Sequence, residues 1–227
     1  MRRELLKKVA IFADLDDAAI SGIDRLFVEK SFARDSVIVG QEDPGDALFV
    51  VSEGKVKVVL YGNTGREVIL SLFKPGDFFG EMSLLDNQPR SANVIALEDS
   101  MLLVLERRAF SEHLEKHPRT ALKVLAELSR RLRRADAIIG NLALLDVFGR
   151  VARFLRELAK NEGEHTDGMV VIRQRPTQQE IASMIGTSRE TVSRALSEFQ
   201  RRGFIELSGK KIVLRSSFII EDERLAG

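Results

Sequence analysis

From residue 119 to 145 the apolar positions fall on one narrow seam. Ala121, Leu125, Leu128, Leu132, Ala135, Ile139 and Leu142 recur at spacings of 4, 3, 4, 3, 4 and 3. An a/d alternation kept for three heptads, with no proline inside it, predicts a long helix that pairs with a second copy as a two-stranded coil. A helix buried within one domain would need a broader apolar face. Off the seam, Arg130, Arg131, Arg133 and Arg134 predict an exposed, strongly basic side. Homodimerisation is assigned on this pattern to Leu125, Leu128, Leu132, Ile139 and Leu142.

On either side of this stretch the period changes. Residues 2–8 and 16–27 read as short helices. From Val28 to Glu106 the pattern is short β-rich runs (SVIVG, ALFVV, KVKVVLY, EVILSLF, SANVIAL, SMLLVLE) broken by Pro44-Gly45, Glu53-Gly54, Gly62-Asn63-Thr64-Gly65 and Pro75-Gly76-Asp77. Close-spaced short strands with Gly and Pro between them predict a small antiparallel jelly roll or barrel. Residues 107–117 are helical in pattern, and Pro118 ends that helix before the long one begins. Asp146 is a good N-cap for VFGRVARFLREL, and the domain boundary is placed there. NEGEHTDG, residues 161–168, reads as a polar loop and MVVIRQ as a strand. Two close helices follow, then two short strands around Ser208-Gly209-Lys210, and an acidic tail from Glu221 that frays. The expected class is α+β, with a β-rich domain over 1–118, a dimerisation helix over 119–145 and a second domain over 146–227.

TQQEIASMIGTSRETVSRALSEFQRRGF matches a helix-turn-helix. Counting from Gln178, the fifth residue is Ala182, small enough for two helices to cross closely. The ninth is Gly186, at a turn that favours positive φ, and the fifteenth is Val192. Ile181, Ile185 and Ala195 complete the core between the helices. Ser188 is placed to cap the second helix, whose first turns then expose Arg189, Glu190, Ser193 and Arg194. Arginine bonds guanine bidentately and glutamate accepts from the cytosine amine, so these types suit the major groove of double-stranded DNA. Thr177, Arg201, Arg202, Lys210 and Lys211 are placed to meet phosphates, which fix position without specifying sequence. The bland alternative is a helical hairpin with solvated charges.

Composition sharpens this picture in two places. Net charge is only +1, yet residues 173–215 hold nine Lys/Arg against four Asp/Glu, a local +5 over a remainder of −4. The positive charge sits where a nucleic acid needs it. Cysteine is absent, which removes disulfides, thiolate catalysis, cysteine-held iron–sulfur clusters and the usual zinc sites. No apolar run reaches the length of a membrane span and no leader pattern opens the chain, so the expected location is cytoplasmic with no membrane partner.

PGDFFGEMSLLDNQPRSANV is the chemically pointed part of the β-rich region. Gly80 lets a backbone amide approach a ligand closely, and Glu81 offers an acceptor that suits a sugar hydroxyl. Nine residues on, Arg90 is a forked cation for a phosphate, with Ser91 a neighbouring hydroxyl donor. Taken alone, these residues would equally make a surface ion pair between Glu81 and Arg90 and the start of a strand at Ser91.

Three stretches, GDFFGEMSLLDNQPRSA, GNLALLDVFGRVARFL and SRETVSRAL, together resemble the cyclic-AMP receptor protein and Fnr superfamily of bacterial transcription regulators, over residues 10–215. The resemblance implies a cyclic-nucleotide-binding jelly roll, a dimerising long helix and a C-terminal winged helix-turn-helix. It implies that Gly80 and Glu81 bind the ribose side of the nucleotide, and Arg90 and Ser91 the cyclic phosphate. Arg189, Glu190 and Arg194 occupy the positions that read a TGTGA half-site, and RNA polymerase is the implied protein partner. No cofactor is implied beyond the cyclic nucleotide as effector.

The chain departs from that family in two places. Where cyclic-AMP receptors carry Thr-Ser on the dimer helix to contact adenine, this chain has Ala135 and Asp136. Ala135 has no hydrogen-bonding side chain; Asp136 accepts either from an adenine amine or from the ring N–H and amine of guanine. Cyclic AMP is the first effector expected, with cyclic GMP open through Asp136. Ser193 stands where the close cyclic-AMP receptors have glycine and the Fnr branch serine, which leaves half-site preference open.

Other classes lose on chemistry. A haem sensor needs an axial histidine, and only His113, His117 and His165 exist. His113 and His117 are four apart, a spacing able to hold metal, but two ligands without a third read as a solvated helix face. No metal site and no catalytic residue is assigned. There is no Walker loop, HExxH, GxSxG or cysteine nucleophile, and a Glu81–Arg90 phosphodiesterase pair would want a metal cluster. Two alternatives stay open: a regulator of the same fold that is active without a nucleotide or senses another small ligand, and a coiled-coil adaptor without DNA binding.

Overall fold

Continuous apolar runs in two of the strands explain how the N-terminal half is layered. The computed structural model describes residues 2–166 and 168–220, and the chain divides into two compact units, 1–134 and 135–227. In the first, β1 (Val28–Phe32), β8 (Ser100–Glu106), β3 (Ala47–Glu53) and β6 (Phe78–Phe79) form one four-stranded sheet. A second sheet is built from β2 (Val37–Val39), β7 (Asn93–Ala96), β4 (Val56–Tyr61) and β5 (Glu67–Phe73). Every pairing is antiparallel, as a jelly roll requires.

Strands β3 and β8 are buried on both faces, so their sequences run apolar without alternation. Phe49, Val51, Leu102 and Val104 pack inward with Val56, Phe79 and Val94 from around the roll. Leu48, Val50, Leu103 and Leu105 point the other way, onto α1 (Arg2–Lys8), α2 (Asp17–Asp24), α4 (Arg107–Lys116) and the first turns of α5 (Pro118–Leu144). Asp16 caps α2, accepting from Ala19 N–H at 2.8 Å. Pro118 is the first residue of α5, where its missing N–H costs nothing. A further short helix, α3 (Glu81–Asp86), connects β6 to β7. The turn signals around it concealed both α3 and two-residue β6.

The outer helices correct two expectations. On α5, Thr120 and Val124 are buried and Leu128 packs partly against the unit's own core, so Leu128 is shared with that core and is not a pure seam position. His113 does not lie on a solvated face. It is 6% exposed, 3.2 Å from Thr120 Oγ1 through Nε2, and edge-on to Phe12. Burial, and then the neighbouring His117, push its pKa down to about 4.

The second unit contains the end of α5, then α6 (Val147–Glu162), β9 (Glu164–Thr166), β10 (Met169–Ile172), α7 (Gln178–Ile185), α8 (Arg189–Arg201), β11 (Ile205–Ser208), β12 (Lys211–Arg215) and α9 (Ser216–Ile220). Asp146 caps α6, accepting from Gly149 N–H at 2.7 Å. The sheet runs β11-β12-β10-β9, and Val170, Ile172, Ile212 and Leu214 bury its inner face against α6, α7 and α8. The expected polar loop over 161–168 is wrong for most of its length. Glu162 still belongs to α6, and Glu164–Thr166 forms an edge strand paired with β10. The acidic tail from Glu221 lies outside the described residues. Among those described, no helix is long and apolar enough to cross a membrane.

Candidate effector site and nucleic-acid interface

In the first unit the chain turns from β6 into α3 at Gly80. Its φ of 88° lies in the left-handed region, and a Cβ there would sit 2.6 Å from Arg90 Nη1 and 2.8 Å from the Ala47 carbonyl oxygen. Only glycine fits. Arg90 is 5% exposed, donating from Nη1 to the Gly80 carbonyl at 2.8 Å and from Nη2 to the Ala47 carbonyl at 2.7 Å. Its guanidinium carbon lies 5.6 Å from the Phe49 ring centroid. Burial pulls the Arg90 pKa down, against the pull of Asp46 and Glu81. A surface ion pair with Glu81 is excluded, because both side chains are buried and Arg90 spends two donors on carbonyls.

Glu81 is 1% exposed, and its Oε1 accepts from Arg131 Nη1 at 2.8 Å. Burial raises the Glu81 pKa while Arg131 opposes the rise. Arg131 also donates to the Phe78 carbonyl at 2.7 Å and to Glu127 at 3.2 Å. Its guanidinium lies 4.8 Å from the Phe78 ring and 5.1 Å from that of Phe73. This overturns the placement of Arg131 on the exposed basic side; Arg130, Arg133 and Arg134 do lie there. A signal existed: Thr120, Val124, Leu128 and Arg131, at spacings of 4, 4 and 3, form a second stripe on the same helix.

The structure thus brings Gly80, Glu81 and Arg90 together. Ser91 is exposed beside Arg90. Ala135 and Asp136 are exposed on α5, in the second compact unit. Four buried side-chain atoms among the described residues have no hydrogen-bond partner: Glu81 Oε2, Arg90 Nε, Arg150 Nε and Arg175 Nε. Two of them belong to Glu81, the residue after Gly80, and to Arg90, which donates to the Gly80 carbonyl; one is an acceptor and one a donor. A sugar hydroxyl and an anionic oxygen are the groups that would match them. Among the described residues no group of three or more His, Asp or Glu could hold a metal ion.

In the second unit the helix-turn-helix core forms from Ile181, Ala182, Ile185, Val192 and Ala195, all buried. Gly186 ends α7 at φ 69°. Ser188 caps α8, accepting from Thr191 N–H at 3.2 Å, and Arg189, Glu190 and Arg194 stand exposed on its first turns with Ser193 partly covered. Hydrogen bonds from its own backbone N–H and from Ser188 lower the Glu190 pKa, so it stays a carboxylate acceptor. Lys210 is exposed at the β11–β12 turn beside Gly209, whose φ is 56°.

Three of the residues expected on phosphates have partners within the fold. Thr177 is the N-cap of α7, with a reciprocal box in which Glu180 N–H donates to Thr177 Oγ1 at 3.2 Å and Thr177 N–H to Glu180 Oε2 at 2.7 Å. Arg201 and Arg202 both pair with Glu198, at 2.7 and 2.6 Å, and hold its carboxyl down to about 2. That trio presents one net positive charge instead of two.

Comparison with known proteins accords with both halves. The cyclic nucleotide-binding domain family matches residues 29–117, and the Crp-like helix-turn-helix domain family matches residues 149–217. A Mycobacterium tuberculosis protein described as a CRP-like cAMP-activated global transcriptional regulator is 34% identical over 223 residues, covering 98% of this chain and 97% of that one. The Cyclic AMP receptor protein of Thermus thermophilus is 35% identical over 196 residues, covering 86% and 88%. Among solved structures, CLP of Xanthomonas campestris, described as a c-di-GMP responsive global regulator, superposes with a TM-score of 0.76 at 26% identity, covering 88% and 99%.

Proposed function

The chain belongs to the cyclic-AMP receptor protein and Fnr family of bacterial transcription regulators, and we propose that it is a cytoplasmic homodimer whose binding to a TGTGA-type palindrome is gated by a cyclic nucleotide. At the coarser level it is a ligand-responsive, helix-turn-helix DNA-binding regulator. The observation that carries the effector reading is the buried pair Glu81 and Arg90 at Gly80, with one acceptor and one donor atom unpartnered. Gly80 and Glu81 take the ribose side, Arg90 and Ser91 the cyclic phosphate, and Ala135 and Asp136 of the dimer helix the base. Cyclic AMP is the first candidate, since the curated relatives matched over most of their length are described as cAMP-activated or as cyclic AMP receptors. Asp136 and the c-di-GMP-responsive structural relative favour guanine nucleotides as the second reading.

Residues 1–118 act as sensor, 119–145 as dimerisation helix and 146–227 as DNA-binding domain. The dimer forms through Leu125, Leu132, Ile139 and Leu142, which are 47 to 64% exposed in the single chain, with Leu128 contributing its outer edge. Two-fold pairing sets the two α8 helices about 34 Å apart, one turn of DNA. Arg189, Glu190, Ser193 and Arg194 then read bases, while Thr177, Ser188 and Lys210 meet the backbone. RNA polymerase is the partner of the DNA-bound dimer. Calorimetry of parent and Arg90→Ala against cyclic AMP, cyclic GMP and cyclic di-GMP tests the effector. One ligand should bind the parent, and the variant should lose roughly 30-fold or more, as for a lost charge-assisted partner. Equal binding by both proteins would remove Arg90 from the site.

A further inference from the structure

One side chain outside these assignments ties the effector segment together. Arg107, the first residue of α4, donates from Nη1 to the Leu84 carbonyl at 3.2 Å and to Asn87 Oδ1 at 2.6 Å. From Nη2 it donates to the Gly45 carbonyl at 2.7 Å and the Ser83 carbonyl at 3.0 Å, and its backbone N–H reaches the Asp46 carbonyl at 2.7 Å. Ser83 and Leu84 lie in α3, and Asn87 is its left-handed C-cap at φ 58°. Gly45 and Asp46 belong to the loop preceding β3, whose first residue, Ala47, holds Arg90. A Cβ on Gly45 would lie 2.1 Å from Ser83 Cβ, so α3 rests on bare backbone there.

We propose that Arg107 is a positioning residue of the effector site: it locks α3 to the 45–46 loop and thereby holds Glu81 and Arg90, at the two ends of one ten-residue segment, in the arrangement that binds the cyclic nucleotide. Its Nη donors face carbonyls and an amide, and its Nε lies 3.9 Å from the Asp46 carboxylate, so it acts through those residues and not on the ligand itself. The fork geometry is essential, because four acceptors on two strands of chain lie around two different nitrogens. A lysine, with one compact ammonium, cannot span them. This inference rests on the reading of residues 80–91 as a cyclic-nucleotide site.

The test uses the full chain with Arg107→Met and Arg107→Lys, read by amide hydrogen exchange over residues 81–90 without nucleotide and by calorimetry with cyclic AMP, cyclic GMP and cyclic di-GMP. Both variants should exchange faster in that segment and bind roughly tenfold more weakly, the order set by losing bonds to a charged donor. Lysine should restore neither property although it keeps the charge. A merely structural role would lower the unfolding midpoint while leaving exchange over 81–90 and affinity at parental values, and that result overturns the proposal. Should Arg107→Met fail to fold, Arg107→Lys alone carries the test. If the parent itself binds no cyclic nucleotide, the site reading fails, and exchange over 81–90 still decides whether Arg107 holds the segment.

Discussion

Replacing Arg131 with methionine keeps most of the side chain's apolar bulk over Phe73 and Phe78 but strands the Glu81 carboxylate. The parent pair is a 2.8 Å contact to a residue 1% exposed, with a second bond from Arg131 to the Phe78 carbonyl. Breaking a buried pair by removing one partner costs about 3–5 kcal/mol. The Arg131 side chain is 24% exposed, so water screens part of that, and the expected loss is about 2–3 kcal/mol near neutral pH. The sign of the pH dependence follows from Glu81. Its folded pKa is already raised by burial, and removing the opposing Arg131 raises it further. A carboxyl with a raised folded pKa stabilises below its unfolded value and loses that contribution as pH rises through the folded one. The variant should therefore fall furthest behind the parent at pH 7.5 and recover part of the deficit near pH 5. His113, whose lowered pKa has the opposite effect, is present in both proteins and cancels in the difference. Tyr61 is the only tyrosine in a chain without tryptophan and lies in β4, so its fluorescence in urea reports the first unit. Adding Glu81→Gln to Arg131→Met should remove the pH dependence of the deficit. A deficit of the same size at both pH values, or none at all, refutes the pairing as the source of stability.

Three further outcomes are expected. Leu132→Glu places two like charges against each other at the centre of the seam and forgoes about 1.5–3 kcal/mol of leucine burial per chain, so light scattering at micromolar concentration should find a monomer; a persistent dimer would move the interface elsewhere. Lys210→Ala should weaken binding to specific and random DNA alike and reduce the slope of log affinity against log salt by about 0.9 per half-site, while Glu190→Ala should lose about 1–3 kcal/mol of discrimination at one base pair with little change in slope; the reverse assignment of effects would mean that α8 does not read bases.

What could be read directly from the chain follows local rules. The seam of α5 is a period, the caps at Asp146 and Ser188 are short-range side chain–backbone bonds, and the helix-turn-helix needs Ala182, Gly186 and Val192 at fixed offsets within 15 residues. Gly80 and Arg90 were legible as a pair because the segment joining them is short. Each of these is decided within a few turns of backbone, so the pattern survives without knowledge of the rest of the fold.

Partner choice across the sheets followed no such rule. Arg131 looked like one of four solvated arginines, yet its acceptors Glu81 and Phe78 lie 50 and 53 residues away. Arg107 reaches Gly45 at a separation of 62, and His113 is buried because α4 and α5 close over it with Phe12 from the N-terminal end. The order β1-β8-β3-β6 is what brings residues 45–47 and 78–81 beside the start of α4. Local sequence therefore determined most of the helices, strands and turns, while β6, α3 and β9 escaped it. Only tertiary packing decided which charged side chains lose their water, because burying a charge is favourable only where distant chain delivers its partner.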